Sequence, residues 1–201
     1  MNINDIDERL ARLYDSIDEQ YQKINDDAIV ESLIVREDGI HELRMSFGNN
    51  DPVKNMNKIM NVVHAIASLK DHIKDKLAEK YDDPKKYEDY INSNEPLALI
   101  TDIDNQDKHT TNLKHRRTKH TSLRIDNIHQ ALRGVGKTSF SVTKKFNEPG
   151  ARVSEAAGDL KIIIVGDILD NSGQFITTVD SMITSGIQLL EDFIEQNSIG
   201  N

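Results

Sequence analysis

No cysteine and no tryptophan occur in the 201 residues, and aromatic side chains make up 5% of them. Without cysteine there is no disulfide, no thiolate zinc site and no cysteine nucleophile, and a small secreted disulfide scaffold is excluded. So few aromatics argue against a sandwich or barrel and for a helix-rich chain with a charged surface. No apolar run approaches the roughly 18 residues that span a bilayer, so no membrane partner is expected. Met1 is followed by the acidic, amphipathic NINDIDERL rather than a basic segment with an apolar core, and a cytoplasmic location is expected. What is present, 37% hydrophobic and 29% charged residues, suffices for the core of a single domain over residues 1–201.

Apolar spacing lays out the elements. Ile3, Ile6, Leu10, Leu13, Ile17 and Ile24 recur at intervals of three and four with Tyr21 between, which predicts an amphipathic helix over 1–25. Its stripe suits packing on the protein's own core, or a seam with a second copy in a homodimer. Asp38-Gly39 between two alternating runs predicts a β-hairpin over 28–47. A helical core over 53–108 follows: a long helix from Val53 to Tyr81, a short one from about Pro84, and a buried one from Leu97 to about Lys108. The region 121–196 reads as strands at Thr121–Ile125, Thr138–Phe146 and Leu160–Leu169, then an amphipathic helix from Phe175 to Gln196. The fold class expected is α+β, a helical core with a small antiparallel sheet and amphipathic helices at both ends.

Charge is unevenly placed. From Lys108 to Arg124 there are six Lys or Arg and no Asp or Glu, so a net charge of −9 over the chain leaves −15 outside this segment. Lys108, Lys114, Arg116, Arg117, Lys119 and Arg124 suit the phosphates of a nucleic acid, and the negative charge elsewhere limits indiscriminate binding. An acidic protein partner fits the same charges, as does simple pairing with neighbouring Asp and Glu.

Two other patterns point to chemistry and fall short of it. Gly136-Lys137-Thr138 matches the end of a phosphate-binding loop, but Ala131 stands where the first glycine belongs and SFSVTKKF, a strand pattern, follows where a helix is needed. Asp104, Asp107, His109, His115 and His120 are close in sequence, yet their spacing matches no standard finger and the surrounding cations oppose a divalent ion. A basic solvated loop is the better reading, with no metal and no cofactor.

Two phrases taken together carry a resemblance. IMNVVHAIASLKDHIKDKL (Ile59–Leu77) followed by PLALITDIDNQDKH (Pro96–His109) resembles a group of uncharacterised bacterial proteins with paired "LDH" and "DKH" helices, themselves similar to HEPN domains. The resemblance implies that Asp71 and His72 of the first helix face Asp107, Lys108 and His109 of the second, where a carboxylate would orient an imidazole. A purely structural polar network fits the same residues. Many HEPN proteins are ribonucleases with an Arg-x4-6-His motif, and Arg124 to His129 or Arg36 to His41 match its spacing, although Ile125 stands where a polar neighbour is usual and neither pair falls on a predicted helix. The resemblance thus implies RNA binding or metal-independent RNA cleavage, with His109 or His129 as general acid or base and Arg124 stabilising phosphorane charge. The alternative expectation is a non-enzymatic interaction module.

Overall fold

A computed structural model describes residues 6–18, 29–35, 41–46, 51–80, 82–109, 116–143 and 152–199. The elements run α1 (Ile6–Asp18), β1 (Ile29–Val35), β2 (His41–Ser46), α2 (Pro52–Glu79), α3 (Lys85–Ser93), α4 (Glu95–His109), β3 (Leu123–Thr143), β4 (Arg152–Asp170), β5 (Phe175–Thr178) and α5 (Val179–Gln196). The strand order is β1-β2-β3-β4-β5, and the β1/β2, β2/β3 and β4/β5 pairs are antiparallel. The fold is α+β, with the amphipathic helix expected at the C-terminal end present as α5 and α1 within the one expected over 1–25. The chain divides into two compact units.

The first unit holds α1 to Ile17, α2 from Lys58, α3, α4, the chain to Asp126 and everything described from Asp167 onward. On α2, Ile59, Val63, Ile66, Ile73 and Leu77 are buried at helical spacing, as the sequence predicts. Helix α4 is buried more completely: eight consecutive residues from Leu97 to Asp104 are all enclosed, so over those two turns no face meets solvent. Helix α5 approaches it closely. A Cβ placed on Gly186 would lie 2.4 Å from the Ile100 Cδ1, so the missing side chain is what permits the contact. Tyr87 and Tyr90 of α3 pack on Phe193 of α5 at centroid distances of 4.7 and 4.8 Å, and the Tyr90 hydroxyl donates to the Leu189 carbonyl at 3.1 Å. Helix α1 buries Ile6 and Leu13 and sends the Tyr14 hydroxyl to Glu191. Burial, then this bond to a carboxylate, push the Tyr14 hydroxyl up to about 12.

The predicted helix from Phe175 begins four residues late. Phe175–Thr178 is strand β5, paired with the end of β4 through Asp167↔Thr178 and Ile168↔Thr177. Thr178 then caps α5, its hydroxyl accepting from the Ser181 amide at 3.2 Å.

The second unit holds β1, β2, the first turns of α2, β3 from Asn127 and β4 to Gly166. The hairpin strands form as expected, in register from Ile29↔Ser46 to Val35↔His41, while the Asp38-Gly39 turn lies outside the described residues. Leu43↔Leu132 and Arg44↔Ala131 join β2 to β3, and Ala131, Ile163 and Val165 form a buried cluster. Two of the expected strands, Thr121–Ile125 and Thr138–Phe146, prove to be one: β3 runs unbroken through Gly134 and Gly136. Glycine is depleted in strands and reads as a turn in sequence, which is why the run divides on paper. The Gly136-Lys137-Thr138 sequence is accordingly strand, with no helix behind it to bind phosphate.

Candidate nucleic-acid interface

The basic segment gains its order from α4. Asp102 is fully buried, and its carboxylate accepts the Arg117 amide at 2.9 and 3.1 Å, the Thr118 amide at 2.8 Å and the Thr118 hydroxyl at 2.7 Å. An enclosed carboxylate is tolerated only when its lone pairs are filled in this way. One turn along, Gln106 repeats the device: its amide donates to the Leu123 carbonyl at 2.7 Å and accepts the Leu123 amide at 2.9 Å. Residues i and i+4 of one helix share a face, so the chain from 117 to 123 is tied by its backbone at both ends to one side of α4.

Its cations divide by where that backbone sends them. Arg117 turns inward and bonds Asn92 Oδ1 at 2.7 Å and the Glu88 carboxylate. Glu88 also takes Lys70 at 3.0 Å and Lys74 at 3.1 Å. Burial raises the Glu88 carboxyl, but the bonds from Arg117, Lys70 and Lys74 outweigh it and hold the group down at about 2. Arg116 and Lys119 are exposed, and the Arg124 side chain, 63% exposed, lies 3.4 Å from Asp126 at the start of β3. Lys114 and His115 lie outside the described residues.

The histidine that meets the α4 carboxylates is His64. Its Nδ1 lies 2.6 Å from Asp104 and its Nε2 3.2 Å from Asp107, while Lys108 donates to the second Asp104 oxygen at 2.8 Å. Asp71 and His72 sit two turns further along α2, roughly 10–12 Å down the axis. His109 is exposed at the end of α4. Arg124 and His129 both lie on β3 rather than on a helix, and the His129 Nδ1 is 2.6 Å from the Asn127 carbonyl oxygen. Asn127 holds a φ of 51°, a left-handed conformation that Asn tolerates better than most residues.

Beside the segment is an open cleft of about 400 Å³, lined by Glu95, Lys119, His120, Asp170, Asn171, Gln174, Phe175 and Ile176. Its floor is shaped by Asp170, whose Oδ1 accepts the Ser172 amide at 2.8 Å, the Ser172 hydroxyl at 2.6 Å and the Gln174 amide at 2.9 Å. The Ser172 hydroxyl first, then the Gln174 amide, hold its carboxyl below the usual range, and the nearby His120 adds to this. Among the described residues, no group of three His, Asp or Glu is placed to hold a metal ion.

Sequence reasoning missed Asp102, Gln106, His64 and the cleft. Asp102 and Gln106 left a signal in LALITDIDNQ, polar residues one turn apart at the end of an apolar run that predicts burial. Phe175 left none, since it continues the apolar stripe of the helix behind it. Comparison with protein-family models, with curated proteins and with solved structures found no match.

Proposed function

We propose that the protein binds single-stranded RNA through the ordered basic segment from Arg116 to Arg124, and that it binds without cleaving. The observation that carries this is the pair of α4 side chains, Asp102 and Gln106, which fix the backbone of the segment. With that backbone fixed, only the exposed side chains of Arg116, Lys119 and Arg124 are left to be ordered when a phosphate chain arrives. The −13 carried by the rest of the chain disfavours a polyanion elsewhere and favours this segment. An acidic protein would use the same cations but has no use for an aromatic-walled cleft next to them. Binding without cleavage is favoured by Arg124 and His129 lying on a strand, by the pairing of Arg124 with Asp126, and by the exposure of His109 at the end of α4.

Titration of labelled single-stranded RNA at rising salt tests the reading, with the same samples run on a denaturing gel. Three phosphate contacts give a slope of about −2 in log K against log salt for a single strand. Lys119→Ala with Arg124→Ala should flatten that slope to about −0.7, and the RNA should stay intact on the gel. Failure to bind any RNA at low salt would overturn the proposal.

A further inference from the structure

Phe175 is 54% exposed, and it stands in the wall of a cleft that also holds Lys119 and His120. A ring left in water between charged groups is a platform for another ring, and bases stack on such side chains whatever their sequence. The identity of the base then depends on which edge the cleft accepts. Its anionic acceptors are Glu95 and Asp170. Asp170 already takes three donors on one oxygen, whereas Glu95 is exposed on the first turn of α4 and no described residue bonds its carboxylate.

A carboxylate presents two acceptors side by side and seeks two adjacent N–H donors. Guanine offers them, in N1–H and the N2 amino group. Adenine and cytosine each place a ring acceptor next to their amino group, and uracil flanks its single N–H with two carbonyls, so each sets a lone pair against the carboxylate. The amides of Gln174 and Asn171 supply donors for the guanine O6, and Lys119 supplies a charge for the adjoining phosphate. We infer that this cleft is a base-recognition subsite for guanine, with the base stacked on Phe175 and its Watson–Crick edge on Glu95. The inference rests on the RNA-binding reading above and names the specificity of that site.

Fluorescence anisotropy with the full chain and three labelled hexanucleotides, UUGUUU, UUAUUU and UUUUUU, tests it at low salt. The guanine oligomer should bind about tenfold more tightly than the other two. Phe175→Ala should weaken the guanine oligomer by about tenfold, while Phe175→Tyr keeps the platform and the affinity. Glu95→Gln, which replaces one acceptor with a donor, should abolish the preference and bring the guanine and adenine oligomers to equal affinity. Equal binding of all three oligomers, or a preference untouched by Glu95→Gln, overturns the guanine subsite and leaves RNA binding standing. No binding of any oligomer overturns both.

Discussion

Asp102 ties a buried helix to an exposed basic segment, and its replacement should be felt at both ends. Asparagine at this position keeps one acceptor oxygen in place of two and points its NH2 group toward at least one of the donors that Asp102 receives, so a donor faces a donor in a site closed to water. Asp102→Asn should cost about 3 kcal/mol in urea unfolding, and RNA affinity should fall at temperatures where the variant is still folded. A loss under 1 kcal/mol would show that the segment holds its place without this residue. Glu88 contributes in a pH-dependent way. Its folded-state value of about 2 lies below the ordinary 4.5, so its stabilisation is full above pH 4.5 and fades as pH falls toward 2. Solvent screening at this partly exposed site reduces the contribution to about 1 kcal/mol. The urea midpoint gap between the wild type and Glu88→Gln should therefore close on acidification from pH 7 to 3, and a constant gap would assign the effect to packing instead. For the polar cluster between α2 and α4, the sequence offered only what the resemblance implied, Asp71 and His72 facing the end of α4. It did not make legible that His64 is the partner, because His64 and His72 both fall beside the α2 stripe and only the helix crossing selects between them.

At the scale of elements, local pattern was readable wherever one period held and failed where glycine or a β-branched run changed its meaning. The spans of α2, α3 and α4 agree with their stripes and caps to within a few residues. Strand β3 was broken on paper by Gly134 and Gly136, and β5 was absorbed into α5 because Phe-Ile-Thr-Thr continues a helical stripe as readily as it makes a strand. The burial of α4 was legible in its apolar run, but not the close approach of α5 at Gly186 that helps enclose it. That contact can be tested as a pair. Gly186→Ala gains roughly 1 kcal/mol in helix propensity but drives a methyl into the buried Ile100 side chain, at a cost of about 1–3 kcal/mol. The net expectation is a loss of about 1 kcal/mol. Ile100→Val removes the Cδ1 that the new methyl meets, so the double variant should be more stable than the two single losses predict. Additive losses in a double-mutant cycle would place the strain elsewhere.

For the molecule as a whole, the proposed RNA binding would set a polyanion against a local cluster of cations on a chain whose net charge is −9. How much of that negative field a phosphate feels depends on salt, because the Debye length is about 30 Å at 0.01 M and about 10 Å at 0.1 M. At moderate salt the polyanion sees little beyond the basic segment and its neighbours. At low salt it also feels carboxylates spread over the rest of the chain, and their repulsion grows just as counterion release becomes more favourable. A basic RNA-binding protein gives a straight line of log K against log salt. This chain should follow such a line with a slope of about −2 above roughly 0.1 M and bend toward zero slope below it, where the two effects oppose. Titrations from 0.01 to about 0.2 M salt distinguish the cases over a range set by those screening lengths. A line straight to the lowest salt would mean that the acidic residues lie beyond the reach of the bound strand, and confinement of RNA to the basic segment would then rest on its backbone anchoring alone.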